Sequence, residues 1–128
     1  MIRHSIVPAL ALATTLGGCV TYKTHSDGIT RIRIDQTASV DGPRVTPLKL
    51  IEDSRCPKGA QCVWAGRVRV TVRINLGQRN ELRDLTLGEP QPVADGTLTL
   101  VEVLPIKKAG DTLYPDEYRF GFTFAGGF

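Results

Sequence analysis

The residues able to do covalent, acid–base or metal chemistry are few and far apart. There are three cysteines, Cys19, Cys56 and Cys62, and two histidines, His4 in an apolar leader and His25 in the polar stretch after it. Cys56 and Cys62 with His25 alone do not close a zinc site. There is no Cys-x-x-Cys-His haem motif, no Gly-x-Ser-x-Gly elbow and no phosphate loop. Asp111, Asp116 and Glu117 share one segment, and a carboxylate pair can hydrolyse a glycosidic bond. Acids in such a segment read more simply as a solvated loop. No catalytic residue, metal site or cofactor is expected, and the chain is read as a non-enzyme.

Charge offers more. Arg31, Arg33, Arg67, Arg69 and Arg73 each fall on the polar side of an alternating apolar pattern. If their strands are neighbours, they form one basic stripe that could meet anionic lipid heads, lipopolysaccharide phosphates, another acidic polysaccharide or an acidic envelope protein. The simpler reading is a solvated face balanced by Glu81, Asp84 and Glu102, since like charges directly opposite repel. The formal net charge of +3 is too small to suggest nucleic acid as a partner.

The first residues, Met1-Ile2-Arg3-His4, are a short positive start, followed by an apolar run from Ile6 to Leu16. That run has the length of a signal peptide and falls short of the roughly 20 residues that cross a bilayer as a helix. It ends in Leu16-Gly17-Gly18-Cys19, which resembles the lipobox of bacterial lipoproteins: an aliphatic residue, two small residues and an obligatory cysteine. The resemblance implies a diacylglyceryl thioether on Cys19, cleavage after Gly18 and acylation of the new amino terminus. Two or more acyl chains hold a protein firmly, at roughly 0.8 kcal/mol per buried CH₂. Val20 rather than Asp follows the cysteine. In a two-membrane host this implies sorting to the outer membrane, facing the periplasm. The expected organisation is a signal peptide over residues 1–18, a lipidated tether over 19–28 and a domain over 29–128.

With Cys19 assigned to lipid, Cys56 and Cys62 remain as an even pair in a compartment where disulfides persist. They enclose Pro57-Lys58-Gly59-Ala60-Gln61, and Pro and Gly favour a tight reversal. The surrounding stretch contains Asp53-Ser54-Arg55-Cys56-Pro57, four residues, Cys62, a hydrophobe and Trp64-Ala65-Gly66. It resembles an uncharacterised family of small exported proteins. Leu104-Pro105 and Tyr118 extend the likeness over roughly Leu48 to Phe124. It implies a shared fold and carries no activity.

Read from its residues, the stretch is a stapled corner. Cys62 and Trp64 share a face if a strand has begun there, so Trp64 would cover the disulfide and cap the core. Gly66 would permit a bulge or close approach. Arg55 would bond loop carbonyls or pair with Glu52 or Asp53. The alternative is a recognition loop: Lys58 near the tip of a rigid ring could enter the pocket of an exported trypsin-like enzyme, with preorganisation lowering the cost of binding.

The elements that must position these residues are strands. Ile32 and Ile34 alternate with Arg31 and Arg33, and Leu48 and Leu50 with Lys49 and Ile51. From Arg67 to Leu76 the alternation of polar and aliphatic residues is unbroken, the signature of a strand with one buried face. Further strands are expected around Leu82–Leu87, over Thr97–Leu104 and over Glu117–Phe124. Gly88–Gly96 and Pro105–Asp116 read as loops. Six or seven strands with no helical periodicity after the leader predict an all-β domain, a small antiparallel sandwich (Ig-like or related). The final alternating aromatics would also suit a membrane barrel, but the strands are too few and Gly126-Gly127 separates Phe128 from them. The expected function is a non-enzymatic binding or structural module of the cell envelope, with an enzyme inhibitor as the alternative.

Overall fold

The computed structural model describes Gly17, Gly18 and residues 27–126. Cys19 and most of the expected signal peptide and tether lie outside the described residues, as do Gly127 and Phe128. The described chain forms eight strands: β1 (Thr30–Ile32), β2 (Ala38–Ser39), β3 (Arg44–Asp53), β4 (Val68–Asn75), β5 (Asn80–Thr86), β6 (Gln91–Val93), β7 (Gly96–Leu104) and β8 (Arg119–Gly126). One turn of 3₁₀ helix, Pro115–Glu117, precedes β8. Among the described residues no helix is long and apolar enough to cross a membrane.

The strands form two antiparallel sheets, ordered β1-β8-β7-β6 and β2-β3-β4-β5. The fold is a small all-β sandwich. Its strand order is sequential around the molecule, β2 to β5 in one sheet and β6, β7, β8, β1 in the other. This is an up-and-down meander, with none of the Greek-key crossing of an immunoglobulin domain.

Alternation decides the core. Along β4, Val68, Val70, Val72 and Ile74 are buried, whereas Arg69, Thr71, Arg73 and Asn75 are not. They pack with Leu85, Leu98, Leu100, Phe120 and Phe122 from the surrounding strands. Burying each such side chain contributes roughly 1.5–3 kcal/mol.

The strand count exceeds the expected six or seven because three strands are only two or three residues long, too short to display a period. β6 lies inside the expected Gly88–Gly96 loop. Its Pro92 is accommodated because β6 is an edge strand bonded only to β7. β3 begins at Arg44, ahead of Leu48, and two register shifts, Pro47/Lys49 and Leu50/Glu52, break its alternation. β8 starts at Arg119 because the Pro115 turn occupies the residues before it.

Candidate functional site

Antiparallel register gathers the ends of four strands at one pole of the sandwich. Asp53 lies opposite Val68, and Leu104 opposite Arg119. The two long loops, 54–67 and 105–118, therefore emerge side by side. Three stretches distant in sequence meet there: Asp53 with Arg55, Leu104-Pro105, and Tyr118.

Asp53 and Arg55 form a bidentate pair, Nε to Oδ1 and Nη2 to Oδ2, both 2.9 Å. The remaining guanidinium nitrogen, Nη1, donates to the carbonyls of Val103 (3.0 Å) and Pro105 (3.2 Å). The Leu104–Pro105 peptide is cis. Tyr118 donates its hydroxyl to Asp53 Oδ2 at 2.6 Å. Lys107 Nζ donates to the Asp53 carbonyl at 3.1 Å. Asp53 and Arg55 belong to one sheet and its outgoing loop. Val103, Pro105, Lys107 and Tyr118 belong to the other sheet and its loop, so the network clamps the two sheets at this pole.

The Asp53 side chain is only 6% exposed. Burial works against its charge, but the hydrogen bonds from Arg55 and Tyr118 and the positive charge of Arg55 prevail and hold its pKa at about 2. Burial and the bond to charged Asp53 push the Tyr118 hydroxyl up to about 12. Both groups are thus locked in one protonation state across the neutral range, which suits a structural clamp rather than proton transfer.

Cys56 and Cys62 form a disulfide with Cα atoms 5.8 Å apart. The ring they close docks on the second loop. Lys58 N–H donates to the Lys107 carbonyl (2.8 Å) and Ala109 N–H donates to the Lys58 carbonyl (3.2 Å), so Lys58 and Lys108 are partners in a short parallel bridge. Pro57, half-buried, opens the ring, and its carbonyl accepts from Ala60 N–H.

Gly66 makes the close approach its type suggested. It has φ +75°, and a Cβ there would fall on the carbonyl oxygen of Ser54. Cys56 N–H to the Ala65 carbonyl (3.0 Å) and Ser54 N–H to the Arg67 carbonyl (2.8 Å) hold the two arms together around it.

Two expectations are corrected at this point. Trp64 does not cap the core; it is 60% exposed. The same-face argument required a strand at Cys62, but β4 begins only at Val68. The core end is closed instead by Tyr118, which stacks on Phe120 with ring centroids 5.7 Å apart.

Nor do the arginines form one stripe. Arg31 is on β1 and Arg33 just beyond it, in one sheet. Arg69 and Arg73 are on β4 and Arg67 just before it, in the other sheet. Alternation assigns a face to each arginine but cannot say that β1 pairs with β8, the last strand, instead of joining β4.

Most of these arginines are also matched. Arg31 pairs with Glu102 and Asp27, Arg67 with Glu52 and, more loosely, Arg69 with Asp84 at 3.8 Å. The hydrogen bond that Arg31 donates to Asp27 leads the contributions that raise the pKa of Arg31, and the one donated by Arg67 leads those that lower that of Glu52. Of the three expected balancing acids, Glu81 instead pairs with Arg79 and Arg83.

Two features had no sequence signal. Lys107 and Lys108 come beside Lys58 through a contact between loops about fifty residues apart, which no local pattern records. At the opposite pole lies a cleft of about 540 Å³ lined by residues including Asp41, Arg44, Asn75, Asp95 and Phe124. It arises where the β2–β3, β4–β5 and β6–β7 turns converge, and it borders Gly126, beyond which the described residues end. Compared with known proteins, the chain matches no family model, no curated protein and no solved structure.

Proposed function

We propose that this chain is an exported, lipid-anchored protein whose β domain is a non-enzymatic binding module of the cell envelope. The anchor reading rests on Leu16-Gly17-Gly18-Cys19 after an apolar leader. The disulfide between the other two cysteines accords with an oxidising compartment. The observation that carries the binding reading is the clamped pole. An ion-pair network, a disulfide and an interloop bridge hold two loops that expose Val63, Trp64, Ile106 and Tyr114 among lysines. Exposed aromatic groups on a rigid support bind with little ordering cost.

The inhibitor alternative is less well supported. Both main-chain groups of Lys58 are already bonded to the second loop. A loop that adds to an enzyme's strand edge needs those groups for its partner.

The test has two arms on the full chain in its cells. Acyl labelling should mark the wild type, while Cys19→Ser should remain an unlabelled, uncleaved precursor. Capture from envelope extract should retain one saturable partner, protein or polysaccharide. Normal processing of the variant sinks the anchor. Retention of nothing specific sinks the binding module.

A further inference from the structure

The edges of the two sheets are not alike. β1, β2 and β6 are edge strands of only two or three residues, and β6 also carries Pro92. None offers a long row of main-chain groups. β5 is different. It has seven residues, pairs with β4 throughout, and among the described residues takes up no strand on its other side.

The groups it leaves open follow from the ladder. Leu76 N–H donates to the Arg79 carbonyl at the turn (2.8 Å), and Leu87 N–H donates to the Val68 carbonyl at the far end (2.9 Å). Bonded and non-bonded pairs alternate along an antiparallel ladder. In the register between these points, the main-chain groups of Glu81, Arg83 and Leu85 turn toward β4, opposite Ile74, Val72 and Val70. Those of Asn80, Leu82, Asp84 and Thr86 turn to the open edge. Leu82, in the middle of that edge, is 66% exposed. Beyond Thr86 the chain leaves for the other sheet, where Gly88 N–H donates to the Leu100 carbonyl.

We infer that β5 is a self-association edge, through which two copies of the chain join antiparallel, β5 to β5, into one continuous sheet. The side chains select the register. Open main-chain groups must meet open groups, so the twofold axis passes through Glu81, Leu82, Arg83 or Asp84. An axis nearer either end pairs too few residues. At Glu81, Arg83 or Asp84 the axis sets a charge against its own copy, which repels. At Leu82 it sets Leu82 against the partner's Leu82 and Glu81 against the partner's Arg83, once on each side of the axis. Asn80 then faces the partner's Asp84 and has an amide to donate to that carboxylate. Within one chain Arg83 already bonds Glu81 at 3.3 Å, and both are half-buried on the core-facing side. Charges at an edge ordinarily deter pairing; here they deter every register but one. The paired strands bury far less than a permanent dimer does, so the association is reversible. This surface is independent of the lipid anchor and of the clamped pole, and the failure of either leaves it in place.

The full chain in detergent micelles is followed by density-matched sedimentation and by amide exchange. A concentration-dependent dimer is expected. As it forms, the amides of Asn80, Leu82 and Asp84 should exchange more slowly, while that of Arg83, already bonded to β4, stays unchanged. Glu81→Arg or Arg83→Glu turns both opposite-charge pairs into like-charge pairs and should weaken dimerisation about tenfold. Glu81→Arg/Arg83→Glu should dimerise like the wild type, and an equimolar mixture of the two single variants should form heterodimers. Leu82→Pro removes an N–H that β4 does not use and should weaken the dimer in a domain that still folds. Three results overturn the inference: a monomer at concentrations up to about 1 mM, association unaltered by both single charge variants, or recovery in neither the double variant nor the mixture.

Discussion

At the scale of residues, Asp53 governs how the domain responds to pH. Its carboxylate is nearly buried, yet it stays charged because Arg55 and Tyr118 donate to it. A carboxyl whose folded pKa is depressed contributes stability above its unfolded pKa and loses it as pH falls through the folded value. With the folded pKa at about 2 and the ordinary value at 3.8, the loss falls between those limits and amounts to about 2 kcal/mol. Tyr118 acts at the other extreme. Its folded pKa, about 12 against an ordinary 10.0, is raised, so its contribution is complete below 10 and disappears as pH rises through the folded value. Urea unfolding measured from acid to alkaline pH should show a plateau between these limbs. Asp53→Asn should remove much of the acid limb and Tyr118→Phe much of the alkaline one.

At the scale of elements, the disulfide loop is anchored at several points. The bridge closes a short ring with a sequence separation of six, so its removal restores little chain entropy, about 2 kcal/mol on a loop-closure model. The ring remains bonded to the second loop through Lys58 and to its own outgoing arm through Cys56 and Ala65. Cys56→Ser/Cys62→Ser should therefore leave a folded domain, with faster amide exchange confined to Cys56–Gly66 and the 107–109 segment. Faster exchange throughout β4 would show that the bridge holds the fold itself. Gly66 is stricter. A side chain there meets main chain, which cannot rotate away as a flexible side chain can.

At the scale of the molecule, the clamp adds a buried ion pair to the apolar packing and the few main-chain bonds, such as Gly88 N–H to the Leu100 carbonyl, that join the two sheets. Arg55 spans the join, pairing with Asp53 on one side and bonding the Val103 and Pro105 carbonyls on the other. Removing one partner of a buried pair strands the other charge and costs about 3–5 kcal/mol, a large share of the roughly 5–15 kcal/mol that holds a domain folded. Arg55→Met should lower the unfolding midpoint sharply and reduce exchange protection in β4 and β7 together. A loss confined to the loops would mean the sheets hold without the clamp.

The sequence by itself determined whatever depends on local period and residue type. An unbroken polar–aliphatic alternation can bury one face only as a strand, so β4 and its core side chains were legible, and with them the all-β class. Cysteine parity and a short Pro-Gly segment indicated the Cys56–Cys62 pair, and the absence of a side chain marked Gly66 for a close approach. Tertiary structure alone decided what depends on neighbours far apart in the chain. Short edge strands such as β2 carry too few residues to show a period. The pairing of β1 with β8 separated arginines that alternation had made look like one stripe. Trp64 points outward because β4 starts later than its spacing suggested, and Tyr118 closes the core in its place. The Asp53–Arg55–Tyr118 clamp and the Lys58–Lys108 pair exist only because antiparallel register brings the ends of β3, β7 and β8 to one pole, and register is a property of paired strands that neither strand encodes alone.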